Sequence, residues 1–298
     1  MKPKLKLGFT DTHDHLAQFF YSVLSRRYDI TLDNDNPEFL IFGDENFGTE
    51  NTKFSKRDCT KIFYTGENRR PENYDCHYAI SFDHNFSKWH YRLPLYVIYM
   101  WALENIHKTP YRYDYILEPK VKEKTDFCSF VVSNPNSKDR NNFFEKLNAI
   151  KRVDSAGKHL KNIEVDLEGE EKKIEFLSSR KFNICFESTS NPGYVTEKIL
   201  HAFYAGTVPI YWGSQTIGHD FNTNSFINIH NFRSFDAAID FVMKVDEDKD
   251  LYNFIVNQPK YAYNIPPSYY FLDNFMNWFD SIVFKKQETR DASTLIYF

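Results

Sequence analysis

One segment of the chain, residues 181–214, constrains the fold more tightly than any other. Its sequence is KFNICFESTSNPGYVTEKILHAFYAGTVPIYWGS. The apolar run at 182–186 is typical of a buried strand, and a turn-rich break follows it. Apolar residues then recur at 195, 199, 202 and 203, the spacing of one helical face, before Gly206 ends the helix. The apolar run at 208–212 predicts a strand parallel to the first, because a crossover of this length joins parallel strands of one sheet.

The loop within this segment is expected at the carboxyl ends of the two strands, where open α/β sheets bind ligands. Glu197 and Lys198 fall in the first turn of the predicted helix, where unpaired backbone N–H groups favour an anion. Charged residues on a helix are most often only a solvated face. Here, however, the preceding STSNPGY sequence holds more hydrogen-bond donors and backbone-shaping residues than a connector needs. The segment therefore predicts a phosphate-binding loop.

Composition excludes several other classes of protein. The 298 residues include 42% hydrophobic residues, enough for two domains, and a net charge of −4 argues against a nucleic-acid-binding protein. Aromatic residues make up 18%, an excess that favours a carbohydrate ligand. The four cysteines are widely spaced and form no C-x-x-C pair, so neither a zinc knuckle nor a disulfide framework is indicated. No apolar stretch approaches the roughly 18 residues that indicate a transmembrane segment, and no signal peptide is indicated.

The rest of the chain alternates between strand and helix patterns. Strands are predicted at 5–9, 39–42, 61–64, 78–82 and 127–132, with amphipathic helices at 16–24 and near 272–279. The stretch 106–125 contains two prolines and a charge cluster without sustained periodicity, which makes it the linker candidate. The pattern predicts an α/β protein and permits two sheets.

Three ordered blocks of sequence resemble the α1,3-fucosyltransferases that use GDP-fucose. The donor-binding motif of that family is matched by Cys185-Phe-Glu-Ser, Gly193-Tyr-Val-Thr-Glu-Lys198, Ala202-Phe-Tyr and Thr207-Val-Pro-Ile-Tyr-Trp-Gly213. The other blocks are Phe63-Tyr-Thr-Gly-Glu67-Asn68, and Ser133-Asn-Pro-Asn136 followed by Arg140-Asn-Asn-Phe-Phe. Together they run from about residue 60 to 215, and the chain is most similar to the soluble bacterial members.

The resemblance implies the GT-B architecture, an α/β fold in which two Rossmann-like domains face each other across a cleft. An acceptor-binding domain that carries the general base is expected at 1–120 and a GDP-fucose-binding domain at 121–265. A helix and tail at 266–298 are expected to pack back toward the N-terminal domain. Vertebrate members carry an N-terminal membrane anchor that this sequence lacks, so we expect a soluble cytoplasmic protein, or one peripheral at the inner membrane face.

The resemblance also implies an inverting transfer with a glutamate base. Moving fucose from a β-linked GDP donor to an α-linkage inverts the anomeric carbon, so the acceptor hydroxyl must lose its proton as the diphosphate leaves. Glu67 is the expected general base, since it follows a predicted strand and matches the glutamate with that role in similar enzymes. A carboxylate at a turn is otherwise usually only solvated. Asn68, Asp83 and His13 are weaker candidates that would bind the acceptor.

Arg140 and Lys198 are expected to hold the diphosphate, each beside a predicted helix N-terminus. An exposed salt bridge is the more common role of an isolated arginine. By resemblance, Tyr194 and Glu197 contact ribose and fucose hydroxyls. The remaining expected donor-binding residues are Ser188, Glu187, which would orient the loop, and Asn134. Many relatives have Asn in place of Ser188, so a contact there is expected to be shortened or replaced by water.

The expected acceptor is a glycan that contains GlcNAc. Attack by the GlcNAc 3-OH of N-acetyllactosamine would give the α1,3-linkage of Lewis antigens, while core GlcNAc, an α1,4-linkage and bacterial polysaccharide stay open. GDP-fucose is a co-substrate, and no cofactor is required. No metal site is expected, because the D-x-D spacings at 33–35 and 246–248 lie in polar runs typical of surface turns. Stimulation by Mg²⁺ or Mn²⁺ through the free nucleotide is left open.

Two alternatives fit parts of the sequence. Asp11, His13 and His15, directly after the first strand, resemble the H-x-H signature of metal-dependent hydrolases built on a (β/α)₈ barrel. Such barrels need further ligands at later strand ends, and the other histidines show no such series. The simpler interpretation is that Asp14 helps to start a helix at Leu16 and that the histidines line the acceptor loop. The second alternative is a sugar-nucleotide-binding protein without catalysis.

Overall fold

The chain divides into two compact α/β units. The computed structural model describes residues 1–84, 87–108, 116 and 123–284. Unit 1 comprises Met1–Ala102 and Pro267–Phe298, and unit 2 comprises Leu103–Pro266. Each unit contains a parallel sheet, which confirms the expected α/β class with two Rossmann-like domains. Most of the linker candidate and the tail at 285–298 lie outside the described residues.

Within the described residues, unit 1 is built on a six-stranded parallel sheet in the order β2-β1-β3-β4-β5-β6. The strands are β1 (Lys4–Thr10), β2 (Asp29–Leu32), β3 (Phe39–Phe42), β4 (Thr60–Tyr64), β5 (Tyr78–Ser81) and β6 (His90–Arg92). The helices are α1 (Asp14–Leu24), α2 (Leu95–Asn105), whose end from Leu103 falls in unit 2, and, after unit 2, α8 (Leu272–Phe284). All the strands predicted for this region are confirmed, with ends that differ by one residue at most.

The start of α1 corrects one expectation. The helix begins at Asp14, two residues before the predicted Leu16, and its N-cap is His13. The Nδ1 atom of His13 accepts a hydrogen bond from the His15 backbone N–H at 3.3 Å. Asp14 is therefore a first-turn residue that complements the helix dipole, and the capping role belongs to the preceding histidine.

In the described part of unit 2, five parallel strands form a sheet in the order β11-β10-β9-β7-β8. The strands are β7 (Asp126–Phe130), β8 (Val153–Ser155), β9 (Arg180–Phe186), β10 (Val208–Trp212) and β11 (Ile227–Asn228). The helices are α3 (Lys138–Ile150), α4 (Glu170–Ser178), α5 (Glu197–Tyr204), α6 (Phe235–Glu247) and α7 (Lys249–Val256). The predicted parallel pairing of β9 with β10 is confirmed, and the predicted strand at 127–132 ends earlier, at Phe130.

Both sheets reverse their strand order at one point. In unit 1 the chain places β2 on one side of β1 and β3 on the other, and in unit 2 it places β8 and β9 on opposite sides of β7. Ligands of open parallel sheets bind at such switch points, outside the carboxyl ends of the strands. The loops after β1 and β3, and after β7 and β9, are therefore where binding residues are expected.

Aromatic packing joins α8 to the rest of unit 1. The ring centroids of Phe275 and Phe20 are 5.8 Å apart, and those of Phe279 and Tyr28 are 5.9 Å apart. All four residues are almost fully buried, so much of the high aromatic content serves this core. No helix among the described residues is long and apolar enough to cross a membrane.

Asp280 joins α8 to the connection between α1 and β2, and its removal is expected to weaken unit 1. Its carboxylate accepts hydrogen bonds from Arg27 Nη1 at 2.6 Å and from the hydroxyl of Tyr28, which is 2% exposed. We expect Asp280→Ala to lower the free energy of unfolding by about 1–3 kcal/mol in urea denaturation, because a buried hydroxyl loses its partner.

The control for this substitution is Asp273→Ala. The Asp273 carboxylate is 90% exposed and lies 3.7 Å from Arg27. Its loss is expected to change the free energy of unfolding by less than about 0.5 kcal/mol. Equal losses for the two variants would contradict the role assigned to Asp280.

Candidate active site

The predicted anion-binding loop follows β9, one of the two strands at the switch point of unit 2. Hydrogen bonds to the segment after β10 hold it in place. Ser190 Oγ donates to the Gly213 carbonyl at 2.7 Å, and the Gly193 N–H donates to Ser214 Oγ at 2.9 Å. A Cβ atom at Gly213 would lie 2.5 Å from Glu187 Cγ, so this close approach requires glycine. These contacts therefore fix the conformation of the loop.

Glu187, the residue directly after β9, organises the start of α5. Its side chain is fully buried, and Oε1 accepts the Thr196 backbone N–H at 2.8 Å. Oε2 accepts the Thr196 hydroxyl at 2.7 Å and Lys198 Nζ at 3.1 Å. Thr196 is the N-cap residue, but its hydroxyl donates to Glu187 and makes no capping hydrogen bond to the helix. The Glu187 carboxylate takes the place of a capping side chain by accepting the Thr196 backbone N–H. Burial raises the pKa of Glu187, and the Lys198 ammonium opposes that shift.

Lys198 is a permanent cation at this helix N-terminus. Burial disfavours its ammonium, but the carboxylates of Glu187 and Glu197 outweigh this and raise the pKa of Lys198. Two of its hydrogen-bond contacts go to Glu187 and to Thr196 Oγ1, the latter at 2.9 Å. Glu197 Oε1 is 3.6 Å away, beyond hydrogen-bond range. An ammonium has three donors, so one of them is available to a ligand anion.

Glu197 is also charged throughout the physiological range. Burial raises the pKa of its carboxyl, but Lys198, Lys173 and His201 oppose it and lower the pKa to about 2. The side chain is 16% exposed. Glu197 is therefore able to accept hydrogen bonds from ligand hydroxyls.

Arg140 lies at the other strand of the switch point, as the third residue of α3 after β7. It is 2% exposed, and within the described part of the chain no carboxylate lies at ion-pair distance from it. Nη2 donates to the Asn134 carbonyl, while Nε has no partner among the described residues. Burial lowers the pKa of Arg140, and the neighbouring Glu187 and Tyr194 oppose that shift. An exposed salt bridge is thus the wrong interpretation, and the buried guanidinium is a candidate to bind a ligand anion.

The other expected donor-binding residues are distributed around this pair. Tyr194 is 2% exposed and lies close enough to Arg140 and Lys198 to influence the pKa of both. Ser188 is half-buried directly after Glu187. Asn134 is exposed, and its Oδ1 accepts the Asn136 N–H at 2.8 Å, which shapes the turn that supports Arg140.

Glu67 lies on a tight turn after β4 in unit 1, with its side chain exposed. Its backbone N–H donates to Thr65 Oγ1 at 3.1 Å. A Cβ atom at Gly66 would lie 2.7 Å from Leu95 Cδ1 and 3.0 Å from Tyr64 Oη, so glycine leaves room for these two side chains beside the turn. The structure therefore presents Glu67 at the carboxyl edge of the sheet on a rigid support.

The weaker acceptor-binding candidates have different surroundings. Asp83 is 3% exposed and forms an ion pair with Arg70, and it also accepts the Ser81 hydroxyl at 3.1 Å. Its carboxylate is thus engaged within the protein. Asn68 is half-buried beside Glu67, and His13 is exposed at the start of α1.

The aspartate and histidine cluster after β1 organises loops. Asp11 Oδ1 accepts the Glu50 N–H at 2.8 Å, and Oδ2 accepts the Asn51 backbone and side-chain N–H groups at 2.7 and 2.8 Å. His13 caps α1 as described above. Among the residues that the structure describes, no group of three or more His, Cys, Asp or Glu side chains is placed to hold a metal. The hydrolase alternative therefore lacks its further ligands in this part of the chain.

Sequence reasoning missed two polar residues beside the expected site. Thr196 directly precedes α5, so the preference of threonine for N-cap positions was a usable signal. Asp44 follows β3 and is 2% exposed. Its position at the switch point of unit 1 is evident only from the strand order.

Two family models match consecutive parts of the chain. The α-(1,3)-fucosyltransferase FucT N-terminal domain matches residues 6–99, and the glycosyltransferase family 10 (fucosyltransferase) C-terminal region matches residues 121–263. The α-(1,3)-fucosyltransferase FucT of Helicobacter pylori is 38% identical over 261 residues, which are 78% of this chain and 54% of that protein. The chain therefore spans about half the length of this relative.

Solved structures of α1,3-fucosyltransferases are similar over nearly the whole chain. One of them is 30% identical with a TM-score of 0.82, and the match covers 98% of this chain and 93% of the other. Another, a crystal structure with GDP-fucose, is 29% identical with a TM-score of 0.78, covering 98% of this chain and 94% of the other. The chain shares their fold.

Replacing the Glu187 carboxylate is expected to destabilise unit 2. Glu187→Gln keeps the size of the side chain but leaves one acceptor oxygen for three donors. We expect the free energy of unfolding to fall by about 2–3 kcal/mol, a value that allows for the partial exposure of Lys198. Urea denaturation followed by circular dichroism measures this change.

Glu171→Gln is the matched control, since Glu171 is an exposed first-turn carboxylate of α4. Its substitution is expected to change the free energy of unfolding by less than about 0.5 kcal/mol. If Glu187→Gln were as stable as this control, the carboxylate would not organise the start of α5.

Proposed function

Because the chain belongs to glycosyltransferase family 10, the fucosyltransferases, we propose that it is an α1,3-fucosyltransferase that uses GDP-fucose as the donor. The whole-chain likeness to α1,3-fucosyltransferase structures also confirms the expected GT-B fold class. One observation carries the proposal. Arg140 and Lys198, from the two strands at the switch point of unit 2, are cations with donors left for a ligand. A diphosphate matches them in charge and hydrogen-bonding.

In the proposed reaction the two cations bind the leaving group. Negative charge grows on the GDP diphosphate as its bond to the fucose C1 breaks, and fixed positive charge nearby stabilises that change. Arg140 contributes a buried guanidinium, and Lys198 contributes the available donor of its ammonium. Asn134 and Glu187 hold these two side chains in place.

The sugar and ribose hydroxyls are assigned to the rest of the expected donor set. Glu197 is an ionised carboxylate, and Tyr194 lies close enough to Arg140 and Lys198 to influence the pKa of both. Carboxylates and phenols are suited to hydrogen bonds with hydroxyl groups. Ser188, at the end of β9, completes this set.

On the acceptor side, we propose that Glu67 is the general base of an inverting, direct displacement. Its carboxylate takes the proton from the 3-OH of GlcNAc in an N-acetyllactosamine-type glycan as that oxygen bonds to the fucose C1 and GDP leaves. Exposure of the side chain on a turn held by the Thr65 hydroxyl supports this role, because a base must reach the substrate. Asn68 and His13 are proposed to bind acceptor.

This mechanism calls for no metal step, since Arg140 and Lys198 supply the positive charge. Stimulation by Mg²⁺ or Mn²⁺ would then act through the free nucleotide. The four cysteines are buried free thiols, which supports the proposed cytoplasmic location.

An acceptor panel tests the proposed function. GDP-fucose is incubated with type 2 N-acetyllactosamine, a type 1 chain, the chitobiose core of N-glycans and a bacterial polysaccharide, with and without EDTA, and product linkage is determined by NMR. The proposal expects α1,3-fucosylation of the type 2 glycan that persists in EDTA. Binding of GDP without transfer to any glycan would favour the non-catalytic alternative.

Substitution of Glu67 tests the general base. Glu67→Gln keeps the shape of the side chain but removes its ability to accept a proton. We expect kcat to fall by about 10²- to 10⁴-fold, while the Kd for GDP-fucose in calorimetry changes by less than about twofold.

Glu72→Gln, an exposed carboxylate on the next turn, is the control and should keep wild-type kcat. Wild-type kcat in Glu67→Gln would remove Glu67 from the base role. A loss of donor affinity that matches the loss of activity would instead place Glu67 in donor binding.

A further inference from the structure

Thr65 connects three parts of unit 1 and is 2% exposed. Its backbone N–H donates to the Ile80 carbonyl at 3.2 Å, which fixes the residue against β5. Its Oγ1 accepts the Glu67 N–H at 3.1 Å and lies 3.2 Å from the Glu67 carbonyl. The same Oγ1 lies 3.4 Å from Asp44 Oδ2. One hydroxyl therefore joins the turn that carries Glu67 to the loop after β3.

Asp44 is a buried carboxylate at the switch point of the unit 1 sheet. It is 2% exposed, and among the described residues no cationic side chain lies at ion-pair distance from it. Its Oδ1 accepts the Asn46 N–H at 3.0 Å, and its Oδ2 faces the Thr65 hydroxyl. A buried carboxylate is costly unless hydrogen bonds satisfy it, so its position here requires a reason.

A second buried aspartate, Asp11, joins the loops after β1 and β3 by accepting backbone and side-chain N–H groups. Asp11 accepts three N–H groups of the loop after β3, at Glu50 and Asn51. A Cβ atom at Gly43 would lie 2.2 Å from the Asp11 carbonyl oxygen, so the two loops are in close contact. Asp44 and Thr65 extend this arrangement to the turn after β4. Two buried aspartates thus join three loops at the carboxyl edge of the sheet.

We propose that Thr65, oriented by the buried carboxylate of Asp44, is the positioning residue of Glu67. The Thr65 hydroxyl has one proton. Because its oxygen accepts the Glu67 N–H, that proton is shared between the Asp44 carboxylate and the Glu67 carbonyl. The Asp44 carboxylate attracts the hydroxyl proton and so keeps the Thr65 oxygen directed at the Glu67 backbone N–H, which strengthens that hydrogen bond. Thr65 touches neither substrate in this account.

The consequence is a specific effect on kcat. This inference rests on the proposed role of Glu67 as the base, and small displacements of a base from its acceptor are costly for proton transfer. Donor binding depends on Arg140 and Lys198 in unit 2, so a change at Thr65 should leave it unaltered. If Thr65 had only a structural role, its substitution would lower stability but would not lower kcat while leaving the affinity for the donor unchanged.

Thr65→Val is the main test, because valine keeps the branched shape and removes the hydroxyl. We expect kcat at saturating GDP-fucose and type 2 N-acetyllactosamine to fall by at least about tenfold, while Kd for GDP-fucose stays within about twofold. Thr65→Ser restores the hydroxyl and should rescue kcat to at least about one third of wild type. Thr52→Val, which removes an exposed hydroxyl bonded to the Thr49 carbonyl, is the matched control with unchanged kcat.

Asp44→Asn gives a second, independent measurement, and it applies even if Thr65→Val fails to fold. It should lower kcat without changing donor affinity, and combining it with Thr65→Val should cost less than the product of the two single effects. Three results would overturn the proposal: wild-type kcat for Asp44→Asn, equal kcat for Thr65→Val and Thr65→Ser, or multiplicative effects of the two substitutions.

The outcome for Glu67→Gln separates this inference from the proposed function. If Glu67→Gln keeps wild-type kcat, the assigned base is wrong. If Glu67→Gln is inactive while Thr65→Val and Asp44→Asn keep wild-type kcat, the base stands and the positioning role fails.

Discussion

The interaction on which the candidate site depends is the buried contact between Glu187 and the start of α5. One carboxylate accepts the backbone N–H and hydroxyl of Thr196 and the ammonium of Lys198. The contact sets where the helix begins, and it fixes the cation at the end of β9. The carboxylate helps to raise the pKa of the partly exposed Lys198 and so keeps positive charge at the switch point of unit 2, although burial raises the pKa of Glu187 itself.

The charges in unit 2 also decide which chemistry its residues are able to perform. Lys198 stays protonated because the neighbouring carboxylates raise its pKa above the ordinary value, even though burial opposes them. Glu197 is a poor proton acceptor near neutral pH, since its pKa falls to about 2 despite burial. Glu187 is fully buried and holds three hydrogen bonds. These residues are suited to binding a leaving group, and the proposed base therefore comes from the other unit, on the turn at Glu67.

Sequence patterns were most informative where one physical rule dominates. Apolar runs predicted β3 and β10 with their observed ends, because buried parallel strands are apolar on both faces. The edge strand β2 has mostly exposed residues and no such run, so it was missed. Burial of Arg140 and of Asp83 was equally hidden, since charged residues are usually exposed and their surroundings depend on the strand order. The contact between Thr65 and Asp44 joins residues that follow two different strands, β4 and β3, and no local pattern encodes it.

The central claim is that the loop after β9 and the turn before α3 together bind the diphosphate of a nucleotide. Hydrogen–deuterium exchange of the whole chain, with and without saturating GDP, tests it most directly, because amide protection reports where the ligand binds. The account predicts slower exchange in peptides that cover residues 188–198 and 134–140, with little change at 65–68. Protection confined to unit 1, or unchanged exchange in both unit 2 segments while calorimetry shows GDP bound, would contradict it.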